Sequence, residues 1–254
     1  MAFERIHFRA SDAEDAQTSL RELIEVYGQA RASEAEAIVA LGGDGFMLHT
    51  LHDTIHLPAP VYGMNRGTVG FLMNDYAVEG LRERISEAES YVIHPLKMRA
   101  TTIHGLTTEA LAINEVSLLR STHQASWLRI VVDGRERLEK LICDGVIVAT
   151  PAGSTAYNLS AHGPILPIEA EMMALTPVAA FRPRRWRGAI LPRSAQVEIE
   201  VLGNPKRPVL AVADYFEVRQ VAKVEVAFHN AVEITLMFDP GHGLSERLIR
   251  EQFS

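Results

Sequence analysis

One carboxylate stands among glycines directly after an apolar run. Residues 37–46 read AIVALGGDGF, so Gly42, Gly43 and Gly45 surround Asp44. Glycine lets backbone N–H groups approach a ligand closely, and open α/β sheets bind ligands at the C-terminal ends of their parallel strands. The N-terminus of a following helix favours anions such as phosphate. Because a carboxylate repels phosphate, Asp44 is predicted either to cap that helix or to serve a hydroxyl group, a metal ion or a proton transfer.

Two further motifs carry polar groups inside apolar sequence. The segment 63–72, GMNRGTVGFL, follows the next predicted strand, so it is either an ordinary pair of turns or a second wall of the same ligand cleft. In INEV, Asn114 and Glu115 interrupt an apolar β segment. A buried polar side chain is costly without a partner, and a bulge or strand end that presents both groups to a ligand removes that cost. An adenine base with its ribose would suit this amide and carboxylate.

The densest polar stretch reads CDGVIVATPAGSTAYNLSAHGPI. A strand is predicted to end at its Thr-Pro pair, and Gly153 turns the chain. Ser154 or Thr155 then caps a short helix that carries Tyr157 and Ser160. Hydroxyl groups and open N–H groups at a helix start suit a nucleotide or its phosphates.

Hydrophobic periodicity indicates two kinds of architecture. In the first third, the patterns predict strands at 6–9, 38–41 and 61–64 and helices at 13–27, 45–56 and 78–88, an order that implies a parallel sheet. Short runs of β character follow at 91–93, 110–118, 128–132, 145–149, 197–201, 209–212, 224–228 and 234–237. The pair Asp133-Gly134 predicts a hairpin between two of these runs.

The prediction is therefore a Rossmann-like parallel α/β domain over residues 1–97 and a β-rich, sandwich-like domain over 98–239. The tail 240–254 regains helical spacing and is predicted to return to the first domain. The length of 254 residues suits two such domains.

The composition of the chain argues against several classes of function. The net charge of −7 argues against a general nucleic-acid binder, because phosphate backbones attract basic surfaces. No apolar run approaches the roughly 20 residues that span a bilayer, and the N-terminus has no apolar signal core. The single cysteine, Cys143, excludes an intramolecular disulfide and favours a structural role in a reducing compartment. We therefore expect a cytoplasmic protein without nucleic-acid or membrane partners.

Two clusters allow more than one interpretation. His49, His52 and His56 share one face of a predicted helix, but packed or solvated histidines are favoured over a metal site held by the protein. The arginines of the segment 182–187 surround a tryptophan. They form either an exposed loop or subunit contact, or an electropositive lip for polyphosphate, since guanidinium binds phosphate in a bidentate manner. No Walker A motif is present, which argues against a P-loop enzyme.

The ordered set of motifs resembles the bacterial NAD kinase family. GGDG, GxNxGxxGFL, NE and DGxIVxTPxGSTAYxLSxxGP follow one another between about residues 38 and 164. GGDG alone is shared with lipid kinases, whereas the last block with NE upstream is specific. The chain departs from the family pattern at Phe46, where a small hydroxyl residue is common, at Cys143, and at Tyr215.

The resemblance implies an α/β domain and a β-rich domain with the active site in the cleft between them. It implies phosphorylation of NAD by ATP with Mg²⁺, with polyphosphate as an alternative donor, in a homodimer or homotetramer. Asp44 is then the catalytic residue. The positions that match binding residues for NAD or for the ATP phosphates are Gly43, Gly45, Phe71, Asn114, Glu115, Asp144, Thr155, Ala156, Tyr157, Ser160 and Asp214.

Two other functions remain open at this point. A lipid kinase of the diacylglycerol type shares GGDG, although the NE and STAY motifs suit a dinucleotide better. A catalytically silent NAD-binding sensor would retain the binding residues, although it would have no need of Asp44.

Overall fold

The computed structural model describes residues 3–67, 70–203 and 205–241. Its contacts divide the chain into two compact units. The α/β unit comprises the described residues of Met1–Ile93 and Val232–Ser254, and the β unit comprises those of His94–Ala231. The elements in chain order are β1 (Ile6–Ala10), α1 (Glu14–Tyr27), β2 (Ala37–Gly42), α2 (Asp44–Thr54), β3 (Val61–Asn65), α3 (Leu81–Glu87), β4 (Glu89–Ile93), β5 (Leu96–Thr102), β6 (Thr107–Ala112), β7 (Glu115–Arg120), β8 (Ser126–Val132), β9 (Arg135–Cys143), β10 (Gly145–Ala149), α4 (Tyr157–Ser160), β11 (Met172–Val178), β12 (Ala189–Pro192), β13 (Val197–Leu202), β14 (Val209–Ala213), β15 (Phe216–Val218), β16 (Val221–Phe228) and β17 (Ile234–Phe238).

The α/β unit contains one five-stranded sheet in the order β1-β2-β3-β17-β4. The first four strands are parallel, and β4 pairs antiparallel with β17 at the edge. All six residues of β2 are buried, as expected for a central parallel strand. Helices α1 and α2 pack on this sheet. The predicted strands and helices of the first third are thus confirmed to within a few residues.

Strand β17 corrects the predicted domain boundary. The sequence pattern places the run 234–237 in the β-rich domain, yet β17 pairs with β3 and β4 in the α/β sheet. The chain therefore returns to the first unit at about Val232 and leaves it at Ile93, not at 240 and 97. An apolar run predicts a strand but does not predict which sheet that strand joins. The predicted helical tail lies outside the described residues, apart from Pro240 and Gly241.

The β unit consists of two six-stranded sheets. One has the order β12-β11-β10-β7-β14-β15, the other the order β6-β5-β16-β13-β8-β9, and every strand pair is antiparallel. Alternate residues of both sheets, such as Leu128, Ile130, Val146 and Val148, form one buried core. This is the packing of a β-sandwich.

The hairpin prediction is confirmed at residues 133 and 134. Strands β8 and β9 pair across this turn, and both turn residues have positive φ, 53° and 71°. This conformation is the one that Asp-Gly favours in a two-residue hairpin. Within the described residues, no helix has the length and apolarity needed to cross a membrane.

Candidate active site

The α/β unit places Asp44 at the first residue of α2, directly after the buried strand β2. Gly43 occupies the N-cap position, and the side chain of Asp44 does not cap the helix. Its carboxylate instead accepts hydrogen bonds from the backbone N–H groups of Phe71 (2.7 Å) and Leu72 (2.9 Å). The helix-capping interpretation of Asp44 is therefore wrong, because Gly43 holds the N-cap position and the Asp44 carboxylate binds the backbone of the second glycine loop instead.

The second glycine loop approaches Asp44 closely. A Cβ added to Gly70 would lie 2.7 Å from Asp44 Oδ1, so only glycine leaves room for the carboxylate there. Buried Asn74 anchors the end of this loop, since its side-chain amide donates to the carbonyls of Gly63 and Met237. Residues 68 and 69 of the predicted loop lie outside the described chain.

The space beside Asp44 is open on its glycine flanks. A Cβ on Gly43 or on Gly45 would meet no described atom within 4 Å. Each Asp44 oxygen accepts a backbone bond, and a carboxylate oxygen has acceptor sites for more than one hydrogen bond. The half-buried carboxylate is therefore oriented by the fold and can still accept a hydrogen bond from a hydroxyl group of a ligand.

The β unit presents Asn114 and Glu115 at a bend between two strands. Strand β6 ends at Ala112 and β7 begins at Glu115, so the strand-end interpretation of INEV agrees with the structure. The carboxylate of Asp214 holds this bend by accepting from the backbone N–H groups of Ile113 (2.6 Å), Asn114 (3.0 Å) and Glu115 (3.2 Å). Asp214 acts here on the backbone of the bend.

Glu115 has the most strongly shifted carboxyl group among the described residues. Burial and, to a smaller extent, the negative charge of Asp214 together raise the pKa of Glu115 to about 8, against a hydrogen bond from the backbone of Tyr157. Its Oε2 atom is buried and has no hydrogen-bond partner among the described residues. A buried, unpaired carboxyl oxygen is costly, so this group is suited to a ligand that completes its hydrogen bonds.

The turn after β10 is fastened to the same bend. Thr150 donates through its hydroxyl group to the carbonyl of Ile113 (2.7 Å) and through its N–H to that of Asn114 (2.9 Å). Gly153 donates its N–H to the Thr150 hydroxyl oxygen (3.0 Å). A Cβ on Gly153 would lie 2.1 Å from the Asn114 carbonyl oxygen, so a glycine is required at this contact.

The short helices that follow carry the predicted nucleotide contacts. Thr155 is the last residue of a 3₁₀ helix that spans Ala152–Thr155. Ala156 directly precedes α4, which begins at Tyr157 and ends at exposed Ser160. Burial raises the pKa of the Tyr157 phenol, with the charges of Glu115 and Asp144 as further causes. The structure thus brings Asn114, Glu115, Tyr157 and Asp214 together.

Sequence analysis missed the residues that hold α4 in place. Ser154 or Thr155 is the predicted cap, but α4 has no side-chain cap, and the buried Ser154 hydroxyl group donates to the carbonyl of Pro151 and accepts from the N–H of Leu166. Buried Asn158 donates to the carbonyls of Ser154 and Pro164 and accepts from the Thr176 hydroxyl group. The signal available in the sequence was an amide placed between Tyr157 and Leu159 in a short predicted helix.

Two further predicted residues, Asp144 and Phe71, have partners of their own. Asp144 lies in the bend between β9 and β10 and forms an ion pair with Arg120. Phe71 is half-buried, and its backbone N–H contacts Asp44. No group of three metal-ligating side chains occurs in the parts of the chain that the structure describes.

The basic segment 182–187 is an exposed loop between β11 and β12. The guanidinium groups of Arg182 and Arg184 lie 5.7 Å and 5.1 Å from the ring centre of exposed Phe181. Backbone bonds between Phe181, Arg182 and Ile142 fasten the loop near the end of β9. The exposed-loop interpretation therefore agrees with the structure, and the arginines remain available to an anion.

Solved structures share this fold. The crystal structure of a yeast NADH kinase complexed with NADH matches with a TM-score of 0.85 at 21% identity, and covers 100% of this chain and 88% of that chain. An NAD kinase from Archaeoglobus fulgidus in complex with ATP matches with a TM-score of 0.75 at 22% identity, and covers 97% of this chain and 98% of that chain. The fold is therefore the one that these dinucleotide kinases share.

Sequence relatives are much closer. The description "ATP-NAD kinase C-terminal domain" belongs to the family model that matches residues 113–234. The NAD kinase of Cereibacter sphaeroides (strain ATCC 17023) is 61% identical over 253 residues, covering 100% of both chains. The NAD kinase of Caulobacter vibrioides is 55% identical over 98% of this chain and 96% of its own. The chain belongs to the NAD kinase family, and it is a kinase.

Proposed function

We propose that this protein transfers the terminal phosphoryl group of ATP to the 2′-hydroxyl of the adenosine ribose of NAD, giving NADP. The observation that carries this proposal is the Asp44 carboxylate, oriented by two backbone N–H groups beside glycines with open space around them. A bond forms between the ribose 2′-oxygen and the γ-phosphorus, and the bond from that phosphorus to the β–γ bridging oxygen breaks. ADP leaves, and the hydroxyl proton passes to Asp44 and then to solvent.

Asp44 supplies orientation and proton acceptance. A ribose hydroxyl is a poor nucleophile at neutral pH, and a positioned base contributes typically about 10²–10⁴ in rate. Phosphoryl transfer otherwise depends on positioning and charge neutralisation, for which the N–H groups near Gly43 and Gly45 are suited. The two backbone bonds to Asp44 support this assignment, since they fix the carboxylate before substrate arrives.

The dinucleotide is proposed to bind to the β unit. Asn114 and Glu115 would hold the adenosine, and Thr155, Ala156, Tyr157 and Ser160 would line it, with Phe71 close to the adenine. Asp144 would contact the nicotinamide ribose. For Asp214 the three backbone bonds favour a role through the bend over direct contact.

The donor is proposed to be ATP with Mg²⁺. The ion would arrive on the donor phosphates, where it neutralises their charge. Inorganic polyphosphate is an alternative donor. The exposed arginines of the loop 182–187 are suited to bind such a polyanion. A homodimer or homotetramer in the cytoplasm is the proposed state, and the free, buried Cys143 is compatible with a reducing compartment.

The direct test is NADP formation by the purified protein from NAD, ATP and Mg²⁺, read through an NADP-specific dehydrogenase. Parallel reactions contain polyphosphate in place of ATP, or diacylglycerol in place of NAD. We expect NADP formation and no lipid phosphorylation. An inactive protein whose melting temperature NAD still raises would be a sensor, and lipid phosphorylation without NAD binding would indicate a lipid kinase.

Gly45→Ala separates a structural role of this glycine from a ligand role. The added Cβ meets no described atom within 4 Å, and alanine favours the helix that Gly45 occupies by roughly 0.5–1 kcal/mol. We therefore expect unchanged or higher thermal stability, with a KM for ATP raised about tenfold or more because the methyl group occupies the phosphate approach. Calorimetry and steady-state kinetics check both, and an unchanged KM for ATP would contradict the assignment.

Gly70→Ala tests whether the position of the Asp44 carboxylate matters, since this variant keeps the carboxylate itself. The added Cβ would lie 2.7 Å from Asp44 Oδ1, so the carboxylate must move from its two N–H donors. We expect kcat to fall by about tenfold or more, because small displacements of a catalytic group cost rate steeply.

The matched control is Gly67→Ala in the same loop, whose Cβ would lie 3.8 Å from the nearest described atom. Steady-state kinetics of the two variants should differ mainly in kcat. Equal kcat values would show that the position of Asp44 does not limit the reaction.

A further inference from the structure

Asp214 holds the short backbone segment Ile113–Glu115 in place. It has a left-handed φ of 53°, which few residues other than glycine adopt, and it directly follows β14. Its N–H donates to the carbonyl of Glu115 (3.1 Å), and its carboxylate receives the three N–H groups of Ile113, Asn114 and Glu115. Side chain and backbone together fix the bend that carries both predicted adenosine contacts.

Glu115 is the second carboxyl group at this bend, and its surroundings differ. Asp214 is satisfied by three N–H donors, whereas Glu115 has a buried Oε2 atom without a partner in the described chain. Among the described residues, the charge that acts on Glu115 is the negative charge of Asp214, and a hydrogen bond from the backbone N–H of Tyr157 opposes it. When two neighbouring carboxyl groups compete for one charge, the better solvated group takes it and the other keeps its proton.

We propose that Asp214 is a positioning residue for dinucleotide binding, which fixes the bend at Ile113–Glu115 and, together with burial, favours the neutral acid of Glu115, so that the Glu115 carboxyl group, whose Oε2 atom has no partner in the described chain, both donates and accepts hydrogen bonds to the dinucleotide. This inference rests on the proposed function and deepens it. The dinucleotide carries a diphosphate, and an ionised Glu115 would add a second negative charge beside Asp214. The protonated acid removes that repulsion and gives the buried oxygen a donor hydrogen.

The consequence is a pH-dependent affinity for NAD. Burial and the charge of Asp214 raise the pKa of Glu115 to about 8 from an ordinary value of 4.5. If the protonated form binds, affinity is constant below about pH 8 and falls by about tenfold per pH unit above it. An ionised Glu115 as the binding form would give the opposite sign, with affinity rising up to about pH 8.

The experiment is calorimetric titration of NAD into the full-length protein between pH 6.5 and 9.5. We expect the wild-type affinity at pH 9.5 to be about tenfold or more below that at pH 6.5. Glu115→Gln keeps the shape of the neutral acid but cannot ionise, so its affinities at the two pH values should agree within about threefold. The control Glu109→Gln changes a carboxylate on β6 that pairs with Lys97, and it should keep the wild-type profile.

Asp214→Asn distinguishes positioning from a purely structural effect. Removing the negative charge beside Glu115 should move the inflection of the NAD affinity to lower pH, in addition to weakening binding. A structural defect alone would weaken binding at every pH without moving the inflection, and would overturn the role given to Asp214. If this variant does not fold, the wild-type and Glu115→Gln profiles still decide the protonation state.

A readout without ligand is the stability of the free protein. Because the folded-state pKa of Glu115 lies above its unfolded value, the wild type loses stability as the pH rises from about 4.5 to about 8. Glu115→Gln removes this loss, so its Tm should exceed that of the wild type by a few degrees more at pH 9 than at pH 5.

The outcomes separate this inference from the proposed function. NADP formation with an NAD affinity that is flat or rises with pH overturns the inference and leaves the function intact. Absence of both NADP formation and NAD binding at every pH overturns both. An affinity that falls above about pH 8 in the wild type but not in Glu115→Gln supports the inference.

Discussion

Asp44→Asn is expected to lower kcat for NADP formation by about 10²–10⁴, the range for a positioned general base. The amide cannot accept the ribose proton, and one of its two polar ends becomes an N–H₂ donor that faces the N–H group of Phe71 or Leu72. The residue is not predicted to carry the binding energy of NAD, so the dissociation constant for NAD should stay within about threefold. Steady-state kinetics and calorimetric titration measure the two quantities on the same preparation.

The matched control is Asp53→Asn on the same helix. Asp53 lies near the C-terminal end of α2, its side chain is more than half exposed, and it pairs with Arg9 at the surface. Exposed ion pairs are worth about 0–1 kcal/mol, so this variant should keep wild-type turnover. If turnover of Asp44→Asn survives within about tenfold, the role of Asp44 as the base is wrong and its two backbone bonds serve only the loop.

Local patterns predicted the elements and the family but not the long-range bonds. The strand before Asp44 and its helix followed from periodicity, since both depend on neighbouring residues. That the Asp44 carboxylate bonds to Phe71 and Leu72, about 27 residues away, depends on how two loops meet at adjacent strands. The same holds for β17, whose composition matches that of the strands in the β unit although it pairs with β3.

In the candidate site, too, the sequence predicted the residues but not the long-range bonds between them. Motif resemblance predicted Asn114, Glu115 and Asp214 as residues of one site, yet it could not indicate that the Asp214 carboxylate accepts from the backbone of the other two. That geometry joins residues about 100 positions apart and requires a positive φ at an aspartate. Asn158 was missed because its partners, Pro164 and Thr176, lie beyond its own helix. Sequence patterns thus predict the residues that line a site more readily than the residues that hold those lining residues in place.

Gly153→Ala is expected to damage the dinucleotide site through the backbone alone. The added Cβ would lie 2.1 Å from the carbonyl oxygen of Asn114 and 2.4 Å from its carbonyl carbon and Cα, and none of these atoms can rotate away. The turn and the bend must therefore separate, which weakens the bonds from Thr150 to Ile113 and Asn114. Overpacking of this kind costs typically about 1–3 kcal/mol, and we expect the upper end of that range.

The expected result is a lower midpoint of urea unfolding together with an NAD affinity reduced by about tenfold or more, measured on folded protein at low temperature. Gly105→Ala is the control in the same unit. Gly105 has a φ of 80° and open space around it, so alanine there brings backbone strain of roughly 1–2 kcal/mol but no clash. The control should lose some stability and keep its NAD affinity. Equal NAD affinities in the two variants would mean that the contact between Gly153 and Asn114 stabilises the fold without shaping the site.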